Sequence, residues 1–106
     1  MGFWDFLKGP DINQGAAHCA QDGGAVLLDV RTAQEYAAGH IPASRNIPLD
    51  QLDQAGERIP DRDTPLYVYC LSGARSRLAA ARLRAMGYTQ VRDIGGINGY
   101  RGRMEA

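Results

Sequence analysis

The stretch Leu66-Tyr67-Val68-Tyr69-Cys70-Leu71-Ser72-Gly73-Ala74-Arg75-Ser76 carries most of the information about the fold. Its first four residues form an apolar run that is typical of a buried strand, and a helix-like run begins at Ser76. Between these runs, Cys70 opens a short loop in which Gly73 permits a sharp backbone turn. Such a loop presents several backbone N–H groups, and the positive end of the following helix favours a thiolate. The stretch therefore predicts a strand, an anion-binding loop and a helix, in that order.

Cys70 itself has two interpretations. A single cysteine at the end of a buried strand most often fills the core as a small apolar residue. Gly73 and Arg75 favour the alternative, because glycine allows the loop amides to point inward and arginine supplies a fixed cation with forked donors for an oxyanion. We therefore predict that Cys70 is an activated sulfur nucleophile and that its loop binds an anion.

Similar strand and helix patterns flank this stretch. Residues 25–30 predict a strand buried on both faces, followed by a helix that starts with a Thr32–Glu35 capping box and ends at Gly39. Helices are also predicted over 14–21, with Asn13 as N-cap, over about 49–55, and over 76–86. Residues 91–94 predict a third strand, and Ile12 is assigned to a short edge strand. Alternating strands and helices indicate an α/β fold with a mainly parallel sheet, in which ligands gather at the carboxyl ends of strands.

Length and composition limit the possibilities further. A chain of 106 residues with 44% hydrophobic residues can fill the core of one domain. We divide it into an N-terminal aromatic segment, residues 1–10, which is expected to pack onto the rest, and a single domain, residues 11–106. The formal net charge of zero gives no excess of positive charge for binding nucleic acid, so no nucleic-acid partner is expected. No stretch approaches membrane-spanning length, so stable membrane insertion is not expected.

The two cysteines bear on the compartment and on metal binding. Without a recognisable secretory leader, Cys19 and Cys70 are expected to be free thiols of a cytoplasmic protein. His18 adjoins Cys19, but His40 is distant from both in the sequence. The His and Cys residues are therefore not spaced like the ligands of one metal site. We expect neither a metal nor another cofactor.

Several separated motifs, in this order, closely resemble the rhodanese family: Leu28-Asp29-Val30-Arg31, Glu35-Tyr36, Gly39-His40-Ile41-Pro42, Asn46-Ile47-Pro48, Tyr69-Cys70 with Gly73 and Arg75-Ser76, Gly87-Tyr88, and Gly95-Gly96. The resemblance covers about residues 12–100. It implies a rhodanese-like α/β fold, in which a central, mainly parallel sheet has helices on both sides.

The resemblance also implies an activity, that of a thiosulfate sulfurtransferase. Sulfane sulfur would move from a small thiosulfate-like donor to cyanide or a thiol, possibly a protein thiol, through a persulfide on Cys70, with no cofactor. The residues expected to bind the substrate or the persulfide are the five loop residues Leu71, Ser72, Gly73, Ala74 and Arg75.

Four polar residues that match the family signature ahead of the loop are interpreted as structural. Arg31 is placed one helical turn from Glu35 and is expected to pair with it. His40 is expected to fix a tight turn, with a role as general base as the less favoured alternative. Asp29 is the fourth of these residues and is likewise expected to be structural.

Alternative functions stay open at this point. A relay module would carry persulfide to a partner protein and turn over thiosulfate poorly, and a redox sensor would need the same reactive Cys70.

Related phosphatases and arsenate reductases separate their Cys and Arg by five residues, whereas four residues separate Cys70 from Arg75, which fits a single sulfur better than phosphate. Where many family members place Trp near the C-terminus, this chain has Tyr100, which predicts a more open pocket that suits a protein-bound acceptor. Cys19 as a resolving thiol is a further, less favoured, possibility.

Overall fold

The structure, a computed structural model, describes residues 9–106. Its centre is a four-stranded sheet made of β1 (Val26–Asp29), β2 (Arg45–Asn46), β3 (Leu66–Cys70) and β4 (Val91–Gly96). The strand order is β2-β1-β3-β4, and all three neighbouring pairs are parallel. The parallel sheet that the sequence predicts is confirmed.

Helices connect these strands. They are α1 (Ile12–Gln21), α2 (Ala33–Ala38), α3 (Ala55–Arg58) and α4 (Ala74–Ala85). A 3₁₀ helix (Leu49–Gln54) runs directly into α3, so the single short helix predicted over 49–55 is in fact two. Another 3₁₀ turn (Ile97–Gly99) follows β4.

The central strand β3 separates two hydrophobic cores, because alternate residues of a strand point to opposite faces of the sheet. Leu66, Val68 and Cys70 pack on one face with α4 residues, including Ala79 and Leu83. Helix α1 covers the other face. The core between this helix and the sheet contains the buried residues Ile12, Cys19, Leu27, Tyr67, Tyr69 and Ile94. Helices therefore lie on both sides of the sheet, as the resemblance implied.

Two local expectations are wrong at the start of the domain. Ile12 is the first residue of α1, where it packs in the core, and does not form an edge strand. The N-cap is Asp11, whose carboxylate accepts the Asn13 N–H at 2.9 Å. Asn13 instead bonds the C-terminal part of the chain: its amide donates to the Gly99 carbonyl and its side-chain oxygen accepts the Arg101 N–H. These tertiary bonds have no signature in the local sequence.

The strand β4 is longer than predicted. After an irregularity beside Val68 and Tyr69, Gly95 pairs with Tyr69 and Gly96 with Cys70. The two glycines therefore extend the ladder to the level of Cys70.

The N-terminal aromatic segment lies, from Met1 to Lys8, outside the described residues. Within residues 9–106 no helix has the length and apolar character needed to span a membrane.

Candidate functional site

Cys70 ends β3, and residues 71–73 lead from it into α4. The residue is 1% exposed, while Leu71, Ser72 and Ala74 of the loop are exposed. Cys70 Sγ accepts the backbone N–H of Gly73 at 3.0 Å and that of Ser76 at 3.2 Å. The loop thus curls over the sulfur and directs main-chain donors at it.

The sulfur occupies the position of a helix cap. The first N–H groups of any helix lack intrahelical acceptors, and Gly73, the N-cap of α4, has no side chain that could accept them. Cys70 Sγ accepts one of these groups, from Ser76, so it lies at the positive end of the 12-residue helix α4. Gly73 makes the turn possible, because its φ of +105° lies in the left-handed region that glycine tolerates best.

The donors differ in part from those expected. Of the predicted loop residues, only Gly73 donates to Sγ among the described contacts, and the second donor, Ser76, lies just beyond the predicted set. The amides of Ala74 and Arg75 also belong to the first turn of α4, and within residues 9–106 no acceptor bonds them. These two amides therefore remain available as hydrogen-bond donors at the start of α4.

A buried polar link that the sequence analysis missed holds the first turn of α4 against β4. Ser76 is fully buried, and its hydroxyl donates to Asp93 Oδ1 at 2.7 Å. The same carboxylate oxygen accepts the Gly95 N–H at 3.0 Å. The signal available in the sequence was a serine three residues before Ala79, on the helix face that packs on the sheet, because buried hydroxyls require a partner.

The backbone of Gly96 packs directly against the backbone of the cysteine loop. Asn98 N–H donates to the Leu71 carbonyl at 3.1 Å, which ties the loop to the 3₁₀ turn after β4. A Cβ on Gly96 would collide with that carbonyl oxygen and would lie 2.7 Å from Ser72 Cα. The close approach of two backbones, and not an unusual φ, is therefore what requires glycine here.

We expect Gly96→Ala to displace the loop and to lower the rate of any reaction of Cys70 by about tenfold or more, since an error of about 1 Å in such a site is costly. The rate of Cys70 alkylation and the turnover assay described below measure this effect. Gly23→Ala is the matched control, because a Cβ on Gly23 meets no atom within 4 Å. Equal rates in the two variants would contradict the role given to Gly96.

Arg75 is held by Glu35. Its Nη1 lies 2.6 Å from Glu35 Oε1 and its Nη2 lies 3.0 Å from Oε2. Glu35 also completes the capping box of α2 with Thr32, as predicted. Both ends of the guanidinium fork therefore bond a carboxylate at the edge of the loop. The expected pairing of Arg31 with Glu35 is wrong, because Glu35 reaches across to α4.

The pairing lowers the pKa of Glu35 to about 2, chiefly through the hydrogen bonds from Arg75. Because this lies below the ordinary 4.5, the pair stabilises the fold above about pH 4.5, and that contribution is lost as the pH falls toward 2. We expect Glu35→Gln, which keeps the capping box, to flatten this part of the stability profile by roughly 1 kcal/mol, since the pair is partly exposed to solvent. Denaturant unfolding at several pH values measures it, with the exposed Glu57→Gln as control. A profile unchanged from wild type would contradict this role.

Arg31 pairs instead with Asp29, at the carboxyl end of β1. Asp29 is fully buried and Arg31 is 5% exposed. Arg31 Nη2 lies 2.7 Å from Asp29 Oδ2, its Nε bonds the same carboxylate, and its backbone N–H donates to Oδ1. A further bond from Arg31 Nη2 to the Gly39 carbonyl spans the turn after α2. Asn46 donates to both the Asp29 and the Arg31 carbonyls and so joins this pair to β2.

His40 is engaged in the turn after α2. Its ring stacks on Tyr36 at 3.7 Å between centroids, and Nδ1 lies 2.8 Å from the Tyr36 carbonyl oxygen. Its backbone pairs in both directions with Glu105, and the Tyr69 hydroxyl accepts the N–H of the following Ile41. Within residues 9–106 no hydrogen bond joins His40 to the cysteine loop.

Cys19 lies on the other side of the sheet from Cys70. It belongs to the core beneath α1, whereas Cys70 belongs to the core beneath α4. Burial raises the pKa of the Cys19 thiol to about 11, which keeps it protonated at neutral pH. Its position and protonation do not favour attack on a sulfur carried by Cys70.

A cavity of about 590 Å³ lies against the outer side of the loop. Ser72, Gly73 and Ala74 form one wall, and Asn13 and Asn98 contribute polar groups to the others. Among residues 9–106, no group of three or more His, Cys, Asp or Glu side chains is placed to hold a metal ion.

Comparisons with known proteins agree on one family. A family model described as the rhodanese-like domain matches residues 14–103. The YqhL protein of Bacillus subtilis is 42% identical over 77% of this chain and 65% of its own length. The thiosulfate sulfurtransferase PspE of Escherichia coli is 35% identical over 66% of this chain and 68% of its own. This chain therefore spans about two thirds of the length of these curated relatives.

The fold has solved counterparts. A structure titled rhodanese with anions from E. coli superposes with a TM-score of 0.71 at 30% sequence identity, covering 76% of this chain and 96% of that one. The fold that the sequence resemblance implied is thereby confirmed.

Proposed function

Because the chain belongs to the rhodanese-like family of sulfurtransferases, we propose that it moves sulfane sulfur from thiosulfate, or a related small donor, to a thiol or cyanide through a persulfide on Cys70. The observation that carries this proposal is the pair of backbone N–H groups, from Gly73 and Ser76, that converge on Cys70 Sγ at the start of α4. A thiolate and a persulfide are both anions, and hydrogen-bond donors at a helix N-terminus stabilise both.

Both half-reactions proceed by attack on sulfur. The Cys70 thiolate attacks the outer sulfur of thiosulfate, a new S–S bond forms, and sulfite leaves with the electron pair of the broken S–S bond. The acceptor thiolate or cyanide then attacks the outer sulfur of the persulfide, and Cys70 leaves again as a thiolate. The free first-turn amides of Ala74 and Arg75 are the donors available to the outer sulfur during this cycle. Cys70 enters and leaves both half-reactions as a thiolate, so neither sulfur-transfer step gives His40, which bonds the Tyr36 carbonyl, a task as a general base.

The size of the loop supports transfer of a single sulfur over phosphate chemistry. Four residues separate Cys70 from Arg75, and the guanidinium fork of Arg75 bonds Glu35. A phosphatase loop needs to surround a tetrahedral oxyanion and to offer it an arginine. We therefore expect turnover of thiosulfate and a near-zero rate with an aryl phosphate.

The test combines intact-mass measurement with steady-state kinetics. After incubation with thiosulfate, the protein should gain one sulfur atom that dithiothreitol removes, and thiocyanate should form when cyanide is the acceptor. A persulfide that forms without turnover would favour a relay module that serves a partner protein. The absence of any persulfide, or a faster reaction with an aryl phosphate, would overturn the proposal.

A further inference from the structure

A narrow apolar stripe runs along the solvent-exposed face of α4. The buried face of the helix consists of Ser76, Ala79, Ala80 and Leu83. At 3.6 residues per turn, the opposite side carries four exposed residues at spacings of four, three and four: Ala74, Leu78, Ala81 and Ala85. We call these four residues the α4 stripe. Leu78, at 46% exposure, is one of the few large hydrophobic side chains that the described surface exposes.

Arginines border the α4 stripe on both sides. Arg77 and Arg84 lie along one edge, and Arg75 and Arg82 lie along the other, whereas α4 contains no acidic residue. Glu35 neutralises Arg75, and Asp50 and Asp53 line a hollow together with Arg82. Within residues 9–106 no carboxylate forms an ion pair with Arg77, Arg82 or Arg84. Because the whole chain has a formal net charge of zero, the positive charge of this surface is a local feature.

The α4 stripe begins at the cysteine loop. Ala74 belongs to both, and Leu71, directly after Cys70, is 44% exposed. A partner that covers the stripe therefore extends to the loop that encloses the sulfur. An apolar strip rimmed by cations matches a partner segment that carries apolar residues between acidic ones.

We propose that the α4 stripe and its flanking arginines are the docking surface for a protein acceptor, one that presents its thiol within an acidic segment. This inference rests on the proposed function, because it names the class of acceptor. The docked thiolate attacks the outer sulfur of the Cys70 persulfide, forms a new S–S bond and releases Cys70 as a thiolate. A protein fits this surface better than a nucleic acid, because the centre of the surface is apolar and only its edges are charged.

The experiment compares acceptors in the persulfide reaction. The probes are a synthetic peptide with a single Cys between Leu and Glu residues, the same peptide with Lys replacing every Glu, and dithiothreitol as a small neutral acceptor. The quantity measured is the ratio of kcat/KM for each peptide to kcat/KM for dithiothreitol. We expect this ratio to be about tenfold higher for the acidic peptide than for the basic one and to fall as salt is added.

Two variants and two matched controls test the surface itself. Arg82→Glu and Leu78→Glu should each lower the ratio for the acidic peptide by about fivefold. Arg103→Glu makes the same charge change on a 74% exposed side chain elsewhere, and Met104→Glu makes the same apolar-to-acidic change at 44% exposure. Both controls should leave the ratio within about twofold of wild type. Circular dichroism melting establishes that all four variants are folded.

Three results would count against the inference. Equal ratios for the acidic and basic peptides would overturn it, as would unchanged ratios in both α4 variants. Stronger inhibition by an RNA oligonucleotide than by the acidic peptide with Cys replaced by Ser would identify nucleic acid as the partner and would also overturn it. Failure of the proposed function would instead abolish the reaction with dithiothreitol. In that case, fluorescence anisotropy of the labelled Cys-to-Ser peptide tests docking on its own, and equal affinities of wild type and Arg82→Glu would reject the surface.

Discussion

Cys70→Ser should lower kcat/KM for sulfur transfer by about a thousandfold or more, because a serine hydroxyl is a poor nucleophile at neutral pH and cannot carry a persulfide. The small change in size should leave the fold intact, since serine occupies less volume than cysteine and can still accept the N–H groups of Gly73 and Ser76. Thiocyanate formation measures the rate, and intact mass after thiosulfate treatment measures the persulfide. In the variant, neither product should be detected above background.

Cys19→Ser is the matched control for this experiment. Cys19 lies in the core on the opposite side of the sheet, and burial raises the pKa of its thiol to about 11. We therefore expect the rate per folded molecule to stay within about twofold of wild type, even where the buried hydroxyl costs some stability. Persulfide on the Cys70→Ser protein, or equal loss of activity in both variants, would place the chemistry elsewhere.

Asp29→Ala should cost about 3–5 kcal/mol of the free energy of unfolding, the largest effect on stability that we expect. The substitution leaves the guanidinium of Arg31 buried without its carboxylate and removes the acceptor of the Arg31 backbone N–H. It also frees the turn that Arg31 holds through the Gly39 carbonyl. Because a typical domain is stable by only about 5–15 kcal/mol, the variant should be close to unfolding at room temperature.

Denaturant unfolding followed by circular dichroism measures this loss. The exposed Asp53→Ala is the control, and it should change the free energy of unfolding by less than about 0.5 kcal/mol. A loss below about 1 kcal/mol for Asp29→Ala would show that the buried pair contributes little and that Arg31 finds another acceptor.

Much of the fold could be predicted because its signals are local. The apolar run at 66–69 predicts β3, and Gly73 at the head of a helical pattern predicts the turn into α4. Thr32 and Glu35 stand three residues apart, so both bonds of their capping box are available wherever the chain folds. The parallel order of strands and helices follows from the alternation of their patterns, and it brings Cys70 to the carboxyl end of the sheet.

The pairing of side chains could not be predicted in the same way. Glu35 and Arg75 are 40 residues apart, and Ser76 and Asp93 are 17 apart, so each pair exists only because the folded chain brings its members together. The predicted partner of Glu35, Arg31, was close in sequence, but its side chain turns into the protein toward Asp29. Arg31 is buried and bonds Asp29, two residues away, because a buried charge takes the partner that completes its desolvated hydrogen bonds.

From the sequence alone came the strand, the loop, the helix and the cysteine at their junction, because backbone preferences and short-range hydrogen bonds act within a few residues. Only the tertiary structure decided which amides point at the sulfur, that Gly96 must lack a side chain, and that the two cysteines lie in separate cores. These features depend on distances between segments that meet only after β4 pairs with β3 and the helices cover both faces of the sheet. Packing and solvent exclusion set those distances, and they act on the whole domain at once.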